Sequence, residues 1–469
     1  MQTPKINPYL DTIYAPVRDE LTIDELEVIG EIPEDLTGMY VRNSPNPRFE
    51  PPGRYHWFDG DGMLHGVAFQ GGKATYRNRY VQTQAFQVED ERGEAVWGGI
   101  LDPAQMGLPG GPIKNTSNTD LVWHNGRLLS LWWLASEPYE IAIPSLTTVG
   151  PCDFDGQLSC GVSAHPKVDP RTGELVFMDF SVFKKPYMRY GVLSADGTLS
   201  HMTPIELPAP RIAHDLAITE NYTILLDLPL GWDLDLMRRG KRRITFDRET
   251  PARFGIIPRH GDASELRWFE AAPCYIYHTI NAWEEGDTIV LTGCRVENPM
   301  PTGDDWDGTI PRLYFLELQP FMHRWTFNLK TGEIKEERLD DIPSEFPRMN
   351  DDLLGSRSRY SYNPRIAPKE TLLFDGLIKY DTDTNNSVQL SYGPDRFGSE
   401  AVFVPRPGGE GEDDGWIVTL LYDVADDSSE CAVYDAQGFS DEPIARVLLP
   451  RRVPAGFHAC WVDDLNPRA

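Results

Sequence analysis

The chain is short of positive charge: 44 Lys and Arg stand against 72 Asp and Glu, a net charge of −28 over 469 residues. Such a field repels polyanions, which excludes nucleic acid as a partner and limits an anionic membrane surface to transient contact. Cysteine is sparse too. The six, at 152, 160, 274, 294, 431 and 460, form no CxxC pair and no dense framework. That spacing fits reduced thiols in a cytoplasm better than a disulfide scaffold. No run approaches the roughly 18 apolar residues of a membrane-spanning helix, and the N-terminus MQTPKINPYLDTIYAPVRDE lacks a basic stretch followed by an apolar core. The expectation is a soluble, cytoplasmic protein. Also missing are a GxSxG elbow, a GxxxxGK[ST] phosphate loop and a DxDxDG calcium loop, so no nucleophile, nucleotide or EF-hand chemistry is signalled.

Helical periodicity is equally scarce. Short helices are expected only near Thr22 to Glu27, Pro103 to Met106 and Leu234 to Arg239. Hairpin units instead recur along the chain: FQGGKATY, WHNGRLLSL, DPRTGELVFM, SADGTLS, EEGDTIVL, NLKTGEIKEERL and EDDGWIVTLLYD. Each sets a glycine-containing turn against an alternating or apolar run, as antiparallel strands require. With no Pro/Ser-rich linker or break in composition, residues 1–469 read as one all-β domain, and evenly spaced hairpins suit a β-propeller better than paired β-sandwiches. The segment 233–249, DLDLMRRGKRRITFDRE, could touch a membrane, but its interleaved acids suit a solvated loop or helix.

Against this frame four histidines share a local grammar. SAHPKVDPRTGELVFM carries His165, RIAHDLAITENYTILL His214, YHTINAWEEGDTIVL His278 and GFHACWV His458; the first three precede a turn and then an apolar strand. They are separated by 49, 64 and 180 residues, close to multiples of a blade of about 60, so each could occupy a corresponding point near a propeller axis. Convergent imidazoles would bind iron, zinc, copper or nickel, and in octahedral geometry would leave two positions open for dioxygen or substrate. The plainer alternative is four unrelated packing histidines. His56, His65, His124, His201, His260 and His323 lie in turns or among polar residues and are read as packing or solvated groups.

The chain resembles the carotenoid cleavage oxygenase family, which includes apocarotenoid and lignostilbene oxygenases and the retinal pigment epithelium isomerohydrolase. The likeness rests on GMYVRNSPNPRFEPPGRYHWFDGDGMLHGV at 38–67, NTSNTDLVWHNGRLLSL at 115–131, the four histidine segments, SEFPRMN at 344–350 and SEAVFVPRPG at 399–408. It implies a seven-bladed β-propeller with a helix and loop cap over one face. It also implies an axial Fe(II) held by His165, His214, His278 and His458, and insertion of O2 across a conjugated C=C bond to give two carbonyl products.

In this family three of the histidines are oriented by Glu, and the motifs carry two over, Glu345 and Glu400. Where relatives read LALWE or LALKE this chain reads LSLWWLASE, which puts Trp133 at the third position; Glu137 could serve only if the loop is re-registered. Weaker iron retention is therefore expected. Phe58 is carried over as a tunnel-wall aromatic. The Lys and Tyr with which the lignostilbene branch recognises a phenol correspond to Trp132 and Ile100, a more apolar pair. An apocarotenoid is thus the expected substrate, with a stilbene or a phenylpropene such as isoeugenol as the alternative. A calcium-dependent propeller hydrolase and a non-catalytic scaffold are the competing readings.

Overall fold

The computed structural model describes residues 7–465, except 101, 103, 104, 106, 234, 236–238, 240–243 and 300–317. It is all-β, and each of the seven hairpins expected from the sequence is present. FQGGKATY illustrates why. Strands Gly62–Gln70 and Lys73–Tyr80 pair from Met63 opposite Tyr80 to Gln70 opposite Lys73. Gly71 and Gly72 between them take φ of +55° and +71°, the left-handed pair that a two-residue hairpin turn demands. The second strand then alternates buried and partly exposed side chains along its length, as the sequence pattern requires.

Four-stranded antiparallel sheets are built from residues 120–151, 167–206, 216–271 and 275–338. A nine-stranded sheet joins the strands between 360 and 448 to Val28–Gly30. The remaining large sheet contains the N-terminal strands, and the last strand, Ala459–Val462, closes it by pairing with Met39–Arg42. Between neighbouring sheets the core is aromatic: Phe254 lies 5.5 Å from Trp325 and 5.1 Å from Phe327, ring to ring. Such pairs add about 0.5–1.5 kcal/mol each beyond their area burial.

The helix expected at 22–27 is not there. Thr22–Ile23 is an edge strand paired with Arg77 and Tyr76, because the pairing of a short β-branched segment outweighs weak helical propensity. The expected helices at 103–106 and 234–239 fall largely outside the described residues. Among those described, one α-helix is complete, Gln84–Arg92. Thr83 Oγ1 caps its start by accepting from Phe86 N at 3.1 Å, and Gly93 ends it at φ +74°. Its short apolar face, Ala85 and Phe86, explains why no helical stripe announced it.

Candidate metal centre

The four histidines are carried at equivalent points of four different sheets. His165 and His214 immediately precede the terminal strands Lys167–Val168 and Leu216–Ile218 of their sheets. His458 precedes the terminal strand Ala459–Val462. His278 lies within the terminal strand Tyr275–Glu285, where the register breaks between Ile276 and Asn281 and turns the side chain inward. His165 is itself held at φ +65°, a left-handed conformation that a non-glycine residue keeps only when its surroundings fix it.

The side chains converge. All four are buried, and one ligand atom from each lies within 4.8 Å of the others. The His165 and His214 Nε2 atoms are 3.1 Å apart, and the His165 and His458 rings are 4.4 Å apart, centroid to centroid. The other ring nitrogens show what the cluster is for. His165 Nδ1 lies 2.8 Å from Asp120 Oδ2, His278 Nδ1 2.6 Å from Glu345 Oε2, and His458 Nδ1 3.0 Å from Glu400 Oε1. Where the carboxylate oxygen accepts from Nδ1, the imidazole carries its proton there and its Nε2 presents a lone pair inward. Nε2 of His278 is buried with no hydrogen-bond partner. Of the four, only His214 lacks a carboxylate among the described residues to fix its tautomer, so its Nε2 can donate to that of His165 at 3.1 Å; the inward lone pairs of the other three converge on a space that suits a cation. An all-nitrogen set fits a divalent transition metal and is poor for Ca2+ or Mg2+.

Electrostatics point the same way. Burial pushes His278 down to about 3 and His458 to about 4, and burial followed by mutual repulsion holds His165 and His214 well below the usual range. The imidazoles are neutral and ready to ligate. Burial also raises Glu400 to about 8 and Glu345 well above the carboxylate range, a cost that a cation among the histidines would relieve.

The carboxylates come from parts of the fold that contribute none of the four clustered histidines. Asp120 opens the strand Asp120–His124, Glu345 precedes Tyr360–Ile366, and Glu400 lies between Arg396–Gly398 and Val402–Pro405. Thus Glu345 and Glu400 stand beside His278 and His458, whereas Trp133 contacts no ligand through a carboxylate and Glu137 is exposed, bonded to Ser136 and Tyr139. Asp120 was missed in the sequence because an acid at the start of a strand reads as an ordinary turn residue. Its one signal was an acidic group directly before the apolar run LVW. Among the described residues no carboxylate bonds to His214. Next to His214 in the chain lies Asp215, 1% exposed: Lys167 Nζ is 2.7 Å from its Oδ1, and Thr279 N and Oγ1 donate to its Oδ2 at 2.7 and 2.8 Å.

A cavity of about 450 Å³ opens onto the cluster, walled by Phe58, Trp133, Tyr277, Phe346 and Phe457 with His214, His278 and His458. The Phe346 ring stacks on His458 at 4.4 Å. Phe58 also lines a second cavity of about 570 Å³, where Ile100 and Trp132 are found. Lys114 lines that cavity too, but Asp61 and Glu89 each hold its Nζ at 2.6 Å. The remaining histidines lie elsewhere: His56 Nδ1 caps the turn Trp57–Asp59, His65 Nδ1 faces Tyr76 OH at 2.9 Å, and His124 Nε2 faces Gly173 O at 3.0 Å.

Comparison with known proteins gives a consistent picture. A model of the retinal pigment epithelial membrane protein family matches residues 14–463. A carotenoid 9,10(9',10')-cleavage dioxygenase of Crocus sativus is 39% identical over 97% of this chain and 89% of its own. Among solved structures, the lignostilbene dioxygenase of Pseudomonas brassicacearum superposes with a TM-score of 0.88 at 30% identity, covering 98% of both chains. A Synechocystis apocarotenoid oxygenase superposes with a TM-score of 0.84 at 27% identity over 96% of this chain and 97% of its own.

Proposed function

The chain belongs to the retinal pigment epithelial membrane protein family, and on that premise we propose that it is a non-haem Fe(II) oxygenase cleaving a conjugated C=C bond of an apocarotenoid or carotenoid. One alkene and one O2 give two carbonyl products, so atoms balance without a reductant. The observation that carries this reading is the convergence of four buried imidazoles on the wall of an aromatic cavity.

His165, His214, His278 and His458 would hold the metal, and bound Fe(II) would supply the binding and activation of dioxygen. The protein's own part is positional. Asp120, Glu345 and Glu400 keep the protons of three imidazoles on Nδ1 and their lone pairs aimed inward. Phe58, Trp133, Tyr277 and Phe457 offer flat apolar faces to a conjugated chain and exclude water. The bond that lies beside the histidines is the bond cleaved, so regiochemistry follows from how far the substrate extends past Phe58.

The arrangement of the described sheets favours a seven-bladed propeller. Four sheets supply histidines, the sheet of residues 120–151 supplies Asp120, and the nine-stranded sheet, counted as two blades, supplies Glu345 and Glu400 from separate parts. Among the described residues no helix is long and apolar enough to cross a membrane. All six cysteines are free, which favours a cytoplasmic setting. The stilbene or phenylpropene alternative draws on the likeness to the Pseudomonas enzyme. Against a phenol stand the apolar Trp132 and Ile100 and the already paired Lys114.

The test is to incubate Fe(II)-loaded protein under air with a pooled panel of apocarotenals, hydroxystilbenes and phenylpropenes, and to analyse by mass spectrometry for new aldehydes. Products from polyenes that vanish in His278→Ala are expected. Products from stilbenes alone would move the assignment to the alternative, and no product from iron-replete protein would reject both.

A further inference from the structure

The hairpin of strands Asp120–His124 and Arg127–Leu131 presents two side chains to the centre, and they have divided the work in an unexpected way. Trp133, just past the second strand, is 3% exposed and lines the cavity beside His214, His278 and His458. Asp120, facing Leu131 across the ladder, does not line that cavity and meets Nδ1 of His165. The two positions are tied together: Trp133 N donates to Thr119 Oγ1 at 3.1 Å, and Thr119 O accepts from the backbone N of His458 at 3.3 Å.

We propose that Asp120 is the third orienting carboxylate of the metal centre, acting on His165, while position 133, beside His214, is left free to be an apolar wall of the substrate cavity. The inference rests on the functional reading above and concerns which residue of this chain does the positioning. Three features support it. The carboxylate is fixed at both oxygens, Oδ1 accepting from Leu121 N at 2.7 Å and Oδ2 from His165. The ligand it meets is the one with a left-handed backbone, φ +65°, whose side-chain direction most needs an external anchor. And three carboxylates stand behind the histidines, so the charge balance offered to a divalent ion would be that of a centre with Glu at 133. The expected weakness in iron retention is thereby offset, and the cavity gains an indole face where a charge would have favoured a polar substrate. Asp120 is a positioning residue acting through His165, and Trp133 sets specificity.

Asp120→Asn, Asp120→Ala and Glu137→Gln, each in the full chain, separate the alternatives. Affinities for Fe(II) and Co(II) are measured by chelator competition, with the visible spectrum of the Co(II) protein and the melting temperature of the metal-free protein. The inference predicts a loss of about 10–100-fold in affinity for the Asn variant and at least as much for Ala. The Co(II) bands should shift, while metal-free melting of the Asn variant follows wild type; Glu137→Gln should match wild type throughout. If Ala fails to fold, the Asn variant decides. Affinities within about twofold of wild type with unshifted bands overturn the inference while leaving the oxygenase reading intact. A loss in Glu137→Gln alone would overturn it in favour of Glu137. Wild-type protein that binds neither metal would remove both.

Discussion

Asp215 lets the link between fold and metal centre be tested by a change that touches no ligand. Its carboxylate joins three ligand-bearing segments: it is adjacent to His214, binds Thr279 beside His278, and pairs with Lys167, two residues after His165. Asp215→Asn preserves the shape and can still accept from Thr279, but strands the Lys167 ammonium. Breaking a buried ion pair this way costs about 3–5 kcal/mol, and because the Lys167 side chain is 17% exposed the lower end, about 3 kcal/mol, applies. With an unfolding entropy near 2.1 cal/mol/K per residue over 469 residues, melting should fall by about 3 °C in calorimetry of the metal-free protein. Iron should also leave faster, because three ligands lose their common tie. Adding Lys167→Met removes the orphan charge and should return most of the stability. Unchanged melting and iron release in Asp215→Asn, or a double variant no better than the single, would refute the reasoning.

Other perturbations follow from the same geometry. Burial holds His56 at about 3, so it stays neutral in the folded chain while the unfolded chain protonates below about 6.5; the unfolded state then binds more protons and stability falls as pH drops from about 6.5 towards 3. His56→Asn keeps a side-chain oxygen to cap the turn and should flatten that slope by up to about 1.4 kcal/mol per pH unit in denaturant titrations; an unaltered slope contradicts it. Glu345→Gln should weaken metal binding by about 10–100-fold through His278, read by chelator competition, and equal affinity would contradict it. Trp133→Ala should cost about 3–5 kcal/mol of stability and admit bulkier alkenes, seen as a changed product distribution; unchanged products would exclude Trp133 from the cavity wall.

Much of the architecture was readable because its signals are local. Glycine pairs such as Gly71–Gly72 fix hairpin turns, and the alternation in Lys73–Tyr80 fixes a face. The four histidines were readable because each repeats a position relative to a strand, and repetition survives without knowledge of pairing. Asp120 was not, since its role exists only when residue 120 meets residue 165 across two sheets; nothing within the hairpin distinguishes it from a surface acid. The same holds for Asp215, whose partners are 48 and 64 residues away in sequence. Thr22–Ile23 failed for the opposite reason: its local propensity was followed where a partner strand decided the outcome. Trp132 and Ile100 line the second cavity, across Phe58 from the histidines, a division that the linear order of residues does not contain.

The central claim is that four imidazoles bind one iron. Its most direct test is the iron content of the purified chain after anaerobic Fe(II) loading and desalting, set beside His278→Ala. The account predicts one tightly held iron per wild-type chain and almost none in the variant. Wild-type protein that emerges without iron, or a variant that retains it equally, would contradict the account at its base.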